Sequence, residues 1–89
     1  MGNEKLVVEK YVDVVDEGML AAGEYLSFLN AVEKVHLIFD KAQTGLVVFK
    51  RDFLWGDELS DIMDVLKDYQ VQLFYDPQDG KLKLLFGDF

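Results

Sequence analysis

The chain has 89 residues, no cysteine, 51% hydrophobic residues and a formal net charge of -8, from 17 acidic and 9 basic side chains. This length and hydrophobic content predict one folded, soluble domain spanning residues 1–89. The absence of cysteine excludes disulfides and thiolate metal sites, and it favours the cytoplasm as the location. The acidic balance argues against direct nucleic-acid binding and, with no apolar run near the ~20 residues of a membrane span, against a membrane.

The first two predicted elements are helices. Valine and tyrosine recur at helical spacing over residues 3–17, and Gly18 would end this helix. Because β-branched valines lower helix propensity, a strand is the alternative for this segment. A second apolar stripe predicts a helix over residues 20–34, in which Gly23 is a mild fault.

Two hairpins are predicted in the remaining chain. The apolar runs VHLIFD (35–40) and LVVFKRDFLW (46–55) flank a turn-like segment, and QVQLFY (70–75) and KLKLLF (81–86) flank DPQDG. In the second turn, Asp79-Gly80 supplies residues that tolerate positive φ. Whether the two hairpins pair with each other is left open by the sequence.

A third helix is predicted between the hairpins, with Asp57 as its N-cap and its end near Asp68. Its expected buried stripe is Leu59, Ile62, Met63 and Leu66. The predicted order is therefore α-α-β-β-α-β-β. This is an α+β domain in which an antiparallel sheet of two hairpins has helices packed on one face.

Strand alternation divides the side chains of the hairpins between two faces. The expected inner set is Val71, Leu73, Tyr75, Leu82, Leu84 and Phe86. The outer face is less polar than a solvated face should be, since it carries Ile38, Phe74 and Leu85. We expect either the first helix or a second chain to cover it.

No catalytic, cofactor or metal motif stands out. The single histidine, His36, lies in an apolar strand, and its spacing from the serine and threonine residues does not suggest a triad. The glycines form no phosphate-binding loop, and DPQDGK (76–81) lacks the ligand spacing of a calcium loop. A small carboxylate enzyme is disfavoured by the limited room for a substrate pocket. We expect no enzyme activity and no cofactor.

The third predicted helix carries an acidic stripe. Asp57, Asp61, Asp64 and Asp68 follow the spacing i, i+4, i+7, i+11, so they should share one face and repel each other. The last two lie near the C-terminal end, where negative charge opposes the helix dipole. The stripe is either a solubilising face or a docking surface for a basic partner.

Three large apolar residues, Phe53, Leu54 and Trp55, precede this helix in the stretch KRDFLWGDEL (50–59). They are either a core edge with a hydrophobic staple, or they include an exposed anchor beside the acidic stripe. We expect Phe53 to be buried and Trp55 to be half exposed. The predicted partner-binding set is Asp57, Glu58, Asp61, Asp64, Asp68 and Trp55.

The leading hypothesis is a non-enzymatic acidic binding protein that docks on a basic surface of a protein partner. Such a surface occurs on nucleic-acid-binding proteins, so the chain could be an inhibitor that blocks nucleic-acid access. The analogy, of size and charge alone, is with small phage and plasmid inhibitors. The alternative is a homo-oligomeric structural or assembly protein, in the simplest case a homodimer, that uses the apolar sheet face.

Overall fold

The structure is a computed structural model that describes residues 4–89. The elements in chain order are β1 (Leu6–Lys10), α1 (Glu17–Ser27), β2 (Val32–Phe39), β3 (Gln43–Phe49), α2 (Gly56–Val65), β4 (Gln70–Asp76) and β5 (Lys81–Gly87). The predicted α+β class is confirmed. The predicted order is wrong at its start, because a strand replaces the first helix.

All five strands form one mixed sheet in the order β1-β2-β3-β5-β4. β1 runs parallel to β2, and every other neighbouring pair is antiparallel. The prediction of an antiparallel sheet made of the two hairpins alone is therefore wrong, because β1 adds a parallel fifth strand. Both predicted hairpins are present, β2 with β3 and β4 with β5. They pair with each other through β3 and β5, which makes the sheet continuous.

β1 is the strand that the sequence analysis kept as its alternative. Residues 6–10 pair with residues 35–39 of β2. Val7 and Val8 lose rotamer freedom in a helix but fit a pleated strand, so a neighbour on the sheet decides their conformation. Asn3, where the helix was predicted to begin, lies outside the described residues. Gly18 ends no helix and lies in the first turn of α1.

α1 is displaced from its predicted position toward the N-terminus. Asp16 caps it, because its Oδ1 accepts the Met19 N–H at 3.1 Å. It ends at Ser27, since the chain turns to enter β2 at Val32. Gly23 is the point where α1 touches the sheet: a Cβ there would lie 2.6 Å from Leu37 Cδ1.

The core lies between the sheet and the two helices, which pack on one face as predicted. Its fully buried apolar side chains come from both helices, including the C-cap of α2, and from the three central strands: Met19, Leu26, Val32, Val35, Leu37, Phe39, Val47, Phe49, Ile62, Leu66, Leu84 and Phe86. Of the predicted inner set, Leu73 and Tyr75 are instead 42% and 52% exposed. The reason is that β4 is the edge strand of the sheet.

The other side of the sheet, which we call the open face, carries the side chains that alternate away from the core. Its apolar members are Val7, Ile38, Leu46, Val48, Phe74 and Leu85. Neither helix covers it, because both contribute their buried residues to the core on the opposite side. The expectation that the first predicted helix covers this face is wrong, because its segment contains strand β1 of the sheet itself.

Candidate docking surface around Trp55

The N-cap of α2 lies two residues earlier than predicted. Trp55, not Asp57, occupies the N-cap position. Glu58 Oε1 accepts the Trp55 N–H at 2.9 Å, and Asp57 Oδ1 accepts the Glu58 N–H at 3.0 Å. The two carboxylates thus bind N–H groups at the positive end of the helix.

The acidic stripe is shorter than predicted. Asp57, Asp61 and Asp64 lie on α2 and are exposed, but the helix ends at Val65, so Asp68 lies in the turn that follows it. Within residues 4–89, no Lys or Arg forms an ion pair with any of these four aspartates. The free protein therefore leaves this negative surface uncompensated.

The apolar side of α2 is also narrower than predicted. Ile62 and the C-capping Leu66 are fully buried, Leu59 is half-buried, and Met63 is 42% exposed. The short helix therefore rests on the core along a single seam, and most of its surface faces solvent.

Arg51 ties the loop before α2 to the first turn of the helix. Its two terminal nitrogens donate to Glu58 Oε1 and Oε2 at 3.0 and 2.9 Å, and Nη1 also donates to the Phe53 carbonyl at 3.2 Å. This hydrogen bonding from Arg51, followed by that from the Trp55 N–H, holds the pKa of Glu58 below its usual value. Glu58 therefore holds the loop in place and is already engaged before any partner arrives.

The three apolar residues of the loop divide into one inward and two outward side chains. Leu54 packs against the core, whereas Phe53 is 46% and Trp55 60% exposed. The expectation that Phe53 is buried is wrong. In extended chain, successive side chains point to opposite sides, so an inward Leu54 turns both neighbours outward. Trp55 is exposed, as the anchor interpretation requires.

The two exposed rings of the loop contact each other. The Phe53 and Trp55 ring centroids are 5.3 Å apart with an interplanar angle of 83°, an edge-to-face arrangement. The Arg51 guanidinium carbon lies 5.0 Å from the centroid of the same Phe53 ring. Phe53 therefore contacts both the Arg51 cation and the Trp55 indole. The sequence analysis did not include Arg51 or Phe53 in the site, although their position beside Trp55 in KRDFLW was visible.

A cavity of about 210 Å³ lies between α2 and the turn that follows α1. Its lining residues are Leu29, Asn30, Ala31, Glu58, Asp61 and Ile62. Pockets for small-molecule ligands have ~300–1,000 Å³, so this one is too small for a substrate and suits a single side chain of a partner. Glu58 and Asp61 of the predicted set lie at its border.

The only histidine belongs to a different part of the molecule. His36 of β2 is hydrogen-bonded to the Glu9 carboxylate of β1, and the Tyr11 hydroxyl donates to the same carboxylate at 2.7 Å. The sequence analysis missed this trio, since only the pairing of β1 with β2 brings it together. Among residues 4–89, no group of three His, Cys, Asp or Glu side chains could hold a metal ion.

Comparisons with protein-family models, curated proteins and solved structures give no significant match to this chain. In the described part of the chain, the helices are too short and too polar to cross a membrane. Function must therefore be inferred from the chain's own residues.

Proposed function

We propose that the chain is a non-enzymatic binding protein that docks on a basic surface of a protein partner. The docking surface consists of Phe53, Trp55 and the acidic side of α2, formed by Asp57, Asp61 and Asp64. The supporting observation is Trp55, the only tryptophan in the sequence, which is 60% exposed. Tryptophan is among the residues most often found as binding hot spots, because a partner pocket can bury its large ring.

The fixed geometry of the loop supports this role. The backbone of Trp55 is held by Glu58, Glu58 is held by Arg51, and Phe53 contacts the indole ring. An anchor that is ordered before binding loses less conformational entropy when the complex forms. The contacts therefore favour affinity for a partner as well as stability of the loop.

Charge supports a basic partner. The carboxylates of Asp57, Asp61 and Asp64 lack a cationic partner among residues 4–89, and the whole chain carries a net charge of -8. Such a field accelerates the approach of a Lys- or Arg-rich surface and repels nucleic acid. Asp68, in the turn after α2, adds charge at the far end of the docking surface.

The partner we propose is a nucleic-acid-binding protein whose phosphate-binding surface is occupied by these carboxylates. The chain would then act as an inhibitor that blocks nucleic-acid access. The chain has no cysteine, so its fold needs no disulfide that a reducing compartment would break, and we place this interaction in the cytoplasm. A pocketed arginine or lysine of the partner would fit the 210 Å³ cavity beside Asp61.

The test compares three immobilised variants with the wild type in affinity capture followed by mass spectrometry. Trp55→Ala and the double variant Asp61→Asn/Asp64→Asn alter the docking surface, and Val14→Ala is the control, since Val14 is 80% exposed and lies between β1 and α1. We expect one basic protein to be captured by wild type and by the control but not by the two altered variants. Added salt should release it. A set of captured proteins identical for all four chains would contradict the proposal.

The captured protein then allows two quantitative measurements. Trp55→Ala should weaken its binding by at least ~2 kcal/mol, about 30-fold in Kd, while changing the free energy of unfolding by less than ~1 kcal/mol. Single-stranded DNA or RNA should compete with the chain for that protein. If nucleic acid and the chain bind it simultaneously, the inhibitor interpretation fails even though binding stands.

A further inference from the structure

The open face is continuous across all five strands. In its central row, Val7 of β1 lies beside His36, His36 beside Leu46 of β3, and Leu46 beside Leu85 of β5, and the row ends at the polar Gln72 of β4. Ile38 and Val48 lie in the rows on either side, and Phe74 of β4, 39% exposed, is separated from Val48 by Lys83. Leu46 is at the centre of this apolar surface.

Most of the charged groups on the open face are paired within the chain. Lys81 Nζ lies 2.7 Å from a Glu33 carboxylate oxygen, and Lys83 Nζ lies 2.6 Å from Asp76 Oδ2. Glu9 is hydrogen-bonded to His36. Lys34, beside Val48, forms no ion pair among residues 4–89. The charges of this face therefore largely compensate each other, in contrast to the net charge of -8 on the whole chain.

This balance identifies the occupant of the face. A basic partner gains little from a face whose carboxylates are already engaged within the chain, and a nucleic acid finds no excess of positive charge. Two copies of a chain with net charge -8 repel each other, and this repulsion is weakest when the surfaces that meet are near-neutral and apolar. The open face combines both properties, so a second copy of this chain is the partner that it fits.

The area is sufficient for a reversible interface. Five strands about 4.8 Å apart and about 20 Å long give a face on the order of 500 Å². Two such faces supply on the order of 1,000 Å², which is the lower limit for a specific protein–protein interface. Leaving the apolar side chains of this face in water has a hydration cost that pairing removes.

We propose that two copies pack through their open faces into a two-fold symmetric dimer. In such a sheet-on-sheet arrangement the helices of both copies lie on the outside. Trp55 and α2 belong to the helical side, so each copy keeps its docking surface accessible. The dimer would then be bivalent, with gains from avidity. This last consequence depends on the proposed function, whereas the dimer itself does not.

The test begins with the mass of the free protein, measured by sedimentation across a micromolar concentration series. We expect a monomer–dimer equilibrium that salt does not weaken, because salt screens the repulsion between the two acidic copies. Leu46→Lys should weaken dimerisation about tenfold or more, because the interface would bury an unpaired ammonium group. The matched control Val14→Lys adds the same charge at an exposed position away from the open face and should leave dimerisation unchanged.

A cysteine variant keeps the test decisive if Leu46→Lys misfolds. Because the chain has no cysteine, Leu46→Cys introduces a single thiol at the centre of the face, where a two-fold axis brings it close to its own copy. We expect rapid intermolecular cross-linking of Leu46→Cys and none of Val14→Cys. Three outcomes would overturn the proposal. The protein stays monomeric, both cysteine variants cross-link equally, or the dimer is lost in Trp55→Ala but kept in Leu46→Lys. None of these outcomes bears on binding of the basic partner.

Discussion

The hydroxyl of Tyr69 donates a hydrogen bond to Asp16 Oδ2 at 3.2 Å and so connects the turn after α2 to the start of α1. Asp16 is also the N-cap of α1, where its Oδ1 accepts the Met19 N–H. One carboxylate therefore serves both a helix cap and a contact between distant parts of the chain. Burial of the phenol, followed by the charge of Asp16 and this hydrogen bond, raises the pKa of Tyr69 to about 12.

This contact predicts a loss of stability at alkaline pH. The folded-state pKa of Tyr69 lies above the value of about 10 expected in the unfolded chain, so its contribution is fully present below pH ~10. The contribution is lost as the pH rises through the folded pKa, because the unfolded chain releases the proton first. Urea unfolding across this range should show the decline. Tyr69→Phe should make this loss of stability with rising pH smaller, whereas substitution of the exposed Tyr25 by Phe should not. An equal pH dependence of the free energy of unfolding in wild type and both variants would refute the assignment of the loss to Tyr69.

Two glycines in helices should respond to alanine in opposite ways. In Gly23→Ala the new methyl group would meet the buried Leu37, so overpacking of about 1–3 kcal/mol should outweigh a helix-propensity gain of up to ~1 kcal/mol. In Gly56→Ala the methyl group meets no atom within 4 Å, and we expect stabilisation of about 0.4–1 kcal/mol. Chemical denaturation measures both. Stabilisation by Gly23→Ala would show that α1 does not approach β2 this closely.

The acidic side of α2 should reduce stability at one end of the helix and support it at the other. Asp64 lies in the last turn, where negative charge opposes the dipole, so Asp64→Lys should raise stability by about 0.3–1 kcal/mol. Asp57 lies in the first turn and accepts the Glu58 N–H, so Asp57→Lys should lower it by a similar amount. Melting temperatures at low salt distinguish the two. If both substitutions shift the melting temperature in the same direction, net charge rather than helix position controls stability.

Both substitutions should also weaken the proposed complex, since each removes a carboxylate from the docking surface. A variant such as Asp64→Lys, more stable but weaker in binding, would indicate that the residue is retained for a partner.

The fluorescence of Trp55 should report the ionisation of Glu58. Arg51 and the Trp55 N–H hold the folded-state pKa of Glu58 below its unfolded value of about 4.3, so the carboxylate stabilises the loop above that pH. As the pH falls through the lowered pKa, Glu58 is protonated, the loop loosens, and acrylamide quenching of the indole should increase. Glu58→Gln should show increased quenching already at neutral pH, with little further change in acid. Substitution of the exposed Glu24 by Gln is the control and should leave the quenching unchanged. If Glu58→Gln shows the same increase of quenching in acid as wild type, Glu58 is not the group that causes it.

Much of the fold could be predicted because its signals are local. The two hairpins follow from alternating apolar residues and turn chemistry, and Gly80 has the positive φ, 71°, that its place after Asp79 suggested. The existence of α2 and its exposed aspartates follow from a helical period and a polar face. These features depend on residues within a few positions of each other, so the sequence displays them directly.

What the sequence alone determined was the α+β class, the two hairpins, an acidic helix preceded by aromatic residues, and an outer sheet face that is too apolar. Only the tertiary structure decided that residues 6–10 form a strand, that Leu54 rather than Phe53 packs inward, and that both helices leave the open face uncovered. The physical reason is that these outcomes depend on distant residues. A valine-rich segment becomes a strand only when a neighbouring strand supplies its hydrogen bonds, and a side chain turns inward only where the core has space for it.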